Sequence, residues 1–131
     1  MANELILIVE DNARSRKLAR DVLQFKGYQT VETETGEEAL QLARTLHPAL
    51  ILMDIQLPGI DGITALHRLR AEAETRDIPV MAVTASAMTH NRKEIMAAGF
   101  DGYQSKPITV KDFVEAVGAM LDRRRATGDT R

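Results

Sequence analysis

The chain is 131 residues long, 44% hydrophobic and 27% charged, with a formal net charge of −2. That composition describes one globular domain with its own core and excludes the strongly basic surface of a general nucleic-acid binder. No cysteine is present, which excludes disulfides and thiolate metal sites, and no apolar run approaches the roughly 20 residues of a membrane helix.

The opening Met-Ala-Asn-Glu carries neither the basic nor the apolar region of a signal peptide, so a cytoplasmic protein is expected. Leu5 to Val9 form a continuous apolar run that suits a strand buried on both faces. Leu18, Val22 and Phe25 then recur at helical spacing, with Gly27 as the stop. Gln29 to Glu32 alternate, as in an edge strand with one wet face. Thr35 and Glu38 read as a capping box ahead of Ala39, Leu40, Leu42 and Ala43, in a helix that ends before Pro48. Leu50 to Met53 form a second buried strand, and Asp61 caps a helix carrying Ile63, Leu66, Leu69 and Arg70. Val80 to Val83 form a third buried strand. Ile95 and Met96 lie in a helix ended by Gly99, and Gly102 to Ser105 make a weaker edge strand. A capping box of Thr109 and Asp112 opens a last helix with Val110, Phe113, Val114, Val117 and Leu121 inside. Arg123 to Arg125 read as cations at a helix C-terminus, ahead of a frayed polar tail. Strands and helices alternate five times, which implies a doubly wound α/β domain with right-handed crossovers, spanning residues 1–125 with 126–131 as a flexible tail.

In such sheets, ligands bind outside the carboxyl ends of the strands. Glu10 and Asp11 follow the first strand, Asp54 ends the third, Thr84 ends the fourth and Lys106 follows the fifth, ahead of Pro107. Clustered carboxylates repel unless a cation lies between them, and a hard cation with oxygen ligands suggests Mg²⁺. Asp11 and Asp54 are the candidate direct ligands, with Glu10 acting through a water and the backbone carbonyl of Gln56 completing the set. Asp54 then suits a nucleophile that takes up a phosphoryl group, with Lys106 offsetting charge and Thr84 donating a hydrogen bond. The three histidines, His47, His67 and His90, lack metal-ligand spacing and are read as solvated; Met53, Met81, Met88 and Met96 are read as core or helix-face fillers.

Four stretches carry a resemblance: Leu-Ile-Val-Glu-Asp-Asn at 7–12, Leu-Ile-Leu-Met-Asp-Ile-Gln-Leu-Pro-Gly-Ile-Asp-Gly at 50–62, Val-Thr-Ala at 83–85 and Ser-Lys-Pro-Ile at 105–108. Together they make the chain, from about residue 5 to residue 121, similar to the receiver domains of two-component response regulators. Within that family it most resembles single-domain regulators of the DivK cell-cycle type. The resemblance implies a flavodoxin-like sheet of strand order 2-1-3-4-5 with five helices, and phosphorylation of Asp54 by a histidine kinase or a histidine phosphotransfer protein. It makes Glu10 and Asp11 the acidic pair, Thr84 the switch hydroxyl, Lys106 the active-site cation and Tyr103 the switch aromatic. It also implies a downstream protein partner on the face of the fourth helix, fifth strand and fifth helix, and a docking face for the kinase that includes the first helix. A monomer or weak dimer, binding neither nucleic acid nor membrane, is expected.

Two other classes share the architecture. A nucleotide- or flavin-binding fold needs a loop of backbone N–H groups after a strand, usually Gly-rich, whereas the first strand here leads into Glu10-Asp11-Asn12-Ala13-Arg14, which repels a bare phosphate. An aspartate-based phosphohydrolase needs a second acid; two residues after Asp54 stands Gln56, whose amide cannot protonate a leaving group. Slow autophosphatase activity at most is therefore expected. A receiver that never takes phosphate is the third alternative, and the presence of every acceptor residue counts against it.

Overall fold

The computed structural model describes residues 4–85 and 92–129, of which 123–129 by backbone alone. Met88 and His90 lie outside the described residues. The elements run β1 (Leu5–Val9), α1 (Ala13–Phe25), β2 (Gln29–Thr33), α2 (Gly36–Leu46), β3 (Leu50–Met53), α3 (Gly62–Ala71), β4 (Val80–Thr84), α4 (Arg92–Ala97), β5 (Gly102–Ser105) and α5 (Val110–Asp129). The strands form one parallel sheet in the order β2-β1-β3-β4-β5. The alternating segment β2 and the weaker strand β5 are its edges, as expected.

Both faces of the sheet are covered, which is why the central strands are apolar at nearly every position. Leu7, Val9, Ile51, Met53, Val80 and Ala82 pack with residues of α2, α3 and α4 on one side. On the other, Ile6, Ile8, Leu50, Leu52 and Met81 pack with Ala19 and Leu23 of α1 and with Phe113, Val117, Met120 and Leu121 of α5. Burial of this kind supplies roughly 1.5–3 kcal/mol per large aliphatic side chain. The pairs Val9↔Met53 and Met53↔Ala82 align the strands so that their carboxyl ends stand together.

In α1 the buried positions are Ala19 and Leu23, not the Leu18–Phe25 row. At about 100° per residue, Ala19 and Leu23 define the face toward the sheet, Val22 flanks it, and positions 18 and 25 are turned well away. Leu18 is accordingly 42% exposed and Phe25 86%.

Only half of the α2 capping box forms. The Thr35 hydroxyl accepts from Glu38 N at 3.2 Å, but the Glu38 carboxylate accepts from the Thr33 hydroxyl on β2 instead of turning back to the cap. The helix closes at His47 in the left-handed conformation (φ 48°), ahead of Pro48. Asp61 caps α3 as expected, its Oδ1 accepting from Thr64 N at 2.8 Å. Met53 and Met81 are buried and Met96 lies on an exposed helix face. His67 is exposed. The backbone of α5 stays helical to Asp129, past residue 125 and through the arginine run, which therefore does not form the helix terminus.

Candidate functional site

The site is assembled from three βα loops and the β5–α5 turn. Glu10 leaves β1 with its N–H donating to Thr33 O at 3.0 Å, and its carbonyl accepts from Arg16 Nη1 at 2.9 Å. Its Oε2 accepts from Asn12 N at 3.1 Å, and Asn12 in turn caps α1 by accepting from Ser15 N at 3.0 Å. Glu10 is thus held through its carboxylate from its own loop, and through its backbone from α1 and from β2.

Asp54 follows β3 with its N–H donating to Val9 O at 3.0 Å, and Gly62 N closes the loop behind it on Ile55 O at 2.8 Å. A Cβ at Gly62 would lie 2.3 Å from the Asp54 carbonyl oxygen, so only glycine lets α3 start this close to β3. Lys106 follows β5 with its N–H donating to Thr84 O at 3.0 Å, and the Lys106–Pro107 bond is cis.

Glu10, Asp54 and Thr84 are buried and Asp11 is exposed. Lys106 Nζ donates to Asp54 Oδ2 at 2.9 Å and is also ion-paired with Glu10. Gln56 N donates to Asp54 Oδ1 at 3.2 Å. Carboxylate oxygens of Glu10, Asp11 and Asp54 all lie within 4.8 Å of one another. Three carboxylates are thus grouped, two of them paired with one ammonium. Burial is the largest influence on Glu10 and raises its pKa; the hydrogen bond from Lys106 opposes this and the charge of Asp54 adds to it. For Lys106, burial works against the charged form, and its partners Glu10 and Asp54 outweigh it, so its pKa is raised.

The structure therefore brings Glu10, Asp11, Asp54 and Lys106 together, with Thr84 joined to Lys106 through the backbone. Gln56 adjoins Asp54 by its N–H, with its side chain exposed. Tyr103 is half-buried, paired with Ala82 in the sheet and packed against the core on the α2–α3–α4 side. Sequence reasoning missed Arg16. Its guanidinium ties the Glu10 carbonyl to Glu32 on β2, with Arg16 Nε 3.3 Å from Glu32 Oε1. The signal was a cation on the first turns of a helix entered from an acidic pair. It also missed a cavity of about 170 Å³ running from Asp54 and Lys106 out between α1 and α5, past Leu18, Val83, Ile108 and Phe113.

Residues 6–118 match the family model described as the response regulator receiver domain. The chain belongs to that family, whose members are phospho-acceptors of two-component phosphorelays with only weak autophosphatase activity. Within it the chain is closely related to single-domain regulators of the DivK type. It is 47% identical over 116 residues to the polar-differentiation response regulator DivK of Brucella ovis, covering 88% of this chain and 94% of that protein, and equally so to DivK of Brucella anthropi. Among solved structures it is similar to the receiver domain of a sensor histidine kinase from Pseudomonas aeruginosa PAO1, which has a magnesium ion coordinated in its active-site cleft (TM-score 0.85, 30% identity, 92% of this chain and 99% of that one). It is also similar to a CheY-like receiver domain protein from Methanospirillum hungatei (TM-score 0.83, 29% identity, 96% and 99% covered).

Proposed function

We propose that Asp54 is the phosphoryl acceptor of this receiver domain and that the acidic cluster holds Mg²⁺ while it reacts. The observation that carries this reading is the Asp54 carboxylate itself. It is buried, held by Lys106 on one oxygen and by Gln56 N on the other, and grouped with two further carboxylates.

The donor set fits the metal. It offers only oxygen atoms, it is rich in negative charge, and one side is open to water at Asp11, as suits a small hard cation that keeps several waters. Asp11, Asp54 and the Gln56 carbonyl are the direct ligands in this reading, with Glu10 acting through a water. Bound there, the cation offsets charge on the transferred oxygens.

The chain's own residues do the rest. An Asp54 oxygen attacks the phosphorus of a phosphohistidine on a histidine kinase or phosphotransfer protein; the P–N bond breaks and the imidazole leaves. Lys106 remains beside the acyl phosphate and pairs with it, and the Thr84 hydroxyl donates to it. That draws the end of β4 toward Asp54 and biases Tyr103 between two positions. The exposed face of α4, β5 and α5 then meets a downstream protein, and the signal is read by protein contact from a cytoplasmic monomer or weak dimer.

The test is the intact mass after incubation with a small phosphodonor, with and without Mg²⁺, beside Asp54→Asn. One labile phosphoryl group that needs Mg²⁺ and is missing from the variant is expected. Equal uptake by Asp54→Asn would place the acceptor elsewhere, and no uptake by either protein would remove the acceptor role.

A further inference from the structure

The loop between β3 and α3 begins at the proposed acceptor and is held at its far end by a residue outside the acidic cluster. Glu37, in the first turn of α2, accepts a hydrogen bond from Ile60 N at 3.2 Å through its Oε2. The same carboxylate lies against Gly59: a Cβ there would come 2.6 Å from that oxygen, and the Gly59 φ of 78° belongs to the left-handed region. One residue earlier in α2, a Cβ on Gly36 would stand 2.8 Å from Ile60 Cγ1. The loop is therefore clasped at residues 59 and 60 by a charge-assisted bond and a close apolar contact.

The next residue of α2 faces the other half of the site. The Glu38 carboxylate takes the Thr33 hydroxyl, and Thr33 O accepts from Glu10 N at 3.0 Å. Two consecutive glutamates at one helix start thus reach the loop of the acidic pair and the loop of the acceptor.

We propose that Glu37 is a positioning residue for the acceptor site. By fixing Gly59 and Ile60 it holds the backbone of residues 55–61, so that the Gln56 carbonyl is presented to the cation without reorganisation. This rests on the reading of Asp11, Asp54 and the Gln56 carbonyl as ligands. Glu37 touches no reacting atom; it acts through the loop, as groups that orient metal ligands do. The competing assignment is that Glu37 merely favours the helix start by its charge. A glutamine separates the two, since it loses the charge and keeps an oxygen that can accept from Ile60 N.

The experiment compares the wild type with Glu37→Ala, Glu37→Gln and Arg44→Ala. The last removes the pair between Arg44 Nε on α2 and Glu72 Oε1 at 2.7 Å, which loosens α2 away from the loop. Two quantities are read on each folded protein: the Mg²⁺ dissociation constant by calorimetric titration, and the exchange rate of the Ile60 amide hydrogen without metal. Glu37→Ala is expected to weaken Mg²⁺ binding about tenfold and to speed exchange at Ile60. Glu37→Gln is expected to restore both, and Arg44→Ala to leave both at the wild-type level. Wild-type values in Glu37→Ala would overturn the proposal, and so would a Glu37→Gln as impaired as the alanine variant. If the wild type bound no Mg²⁺, the ligand reading and the proposal would fall together; Mg²⁺ binding that ignores Glu37→Ala would remove the proposal alone.

Discussion

Glu10 gains nothing from its burial except its place in the site. Its pKa is raised above the ordinary 4.5, first by burial, so the folded protein binds a proton there at pH values where the unfolded chain has released it. Stability contributed by this group therefore falls as pH rises from the ordinary value toward the raised one. Replacing Glu10 by Gln removes that slope. In metal-free buffer, the melting temperature of Glu10→Gln should rise relative to the wild type as pH increases through this window, while its Mg²⁺ affinity drops. A constant difference across pH would mean that Glu10 is not the group responsible. The residue types of this cluster were legible in the sequence because each follows a strand and carries a charge. Arg16 was harder to read, because an arginine in a helix looks like any solvated cation until the fold lays it under the Glu10 carbonyl.

At the scale of elements, the five strands and most helix boundaries followed from apolar runs and caps. The failures came where a periodic row had more than one face to choose from. In α1 the apolar row 18–22–25 was visible, but the sheet selects the Ala19–Leu23 stripe. The Thr35–Glu38 box was read from local spacing, and a nearby hydroxyl on β2 took the glutamate instead. Glycines show the same dependence on surroundings. In α5 a Cβ at Gly118 would meet nothing within 4 Å, whereas at Gly62 it would press on the Asp54 carbonyl. Gly118→Ala should therefore stabilise the protein by about 1 kcal/mol. Gly62→Ala should destabilise it by roughly 1–3 kcal/mol and slow phosphoryl uptake. Chemical denaturation of the two variants reads the opposite signs; a stabilised Gly62→Ala would mean that the loop yields freely.

For the whole molecule, the alternation of strands and helices was enough to give a doubly wound sheet. The strand order and the expectation of Thr84 and Tyr103 as switch residues came from resemblance, since no local pattern says which strands become neighbours. A divalent cation that binds the folded chain and not the unfolded one stabilises it in proportion to the logarithm of its concentration. Mg²⁺ should therefore raise the melting temperature of the wild type progressively. Asp11→Asn, which removes an exposed charge from the cluster, should melt no lower than the wild type in metal-free buffer and lose most of the Mg²⁺ response. An unchanged response would exclude Asp11 as a ligand.

The bond from Lys106 to Asp54 joins residues 52 positions apart, and Glu10 directly follows the first strand. No contiguous piece of the chain shorter than residues 10–106 contains the charge balance of the site. As the polypeptide leaves the ribosome, the acidic loops emerge first and stay without their counter-charge until the last strand has passed and docked at the sheet edge. The full charge balance of the site therefore arrives late in synthesis and all at once, when Lys106 reaches Glu10 and Asp54.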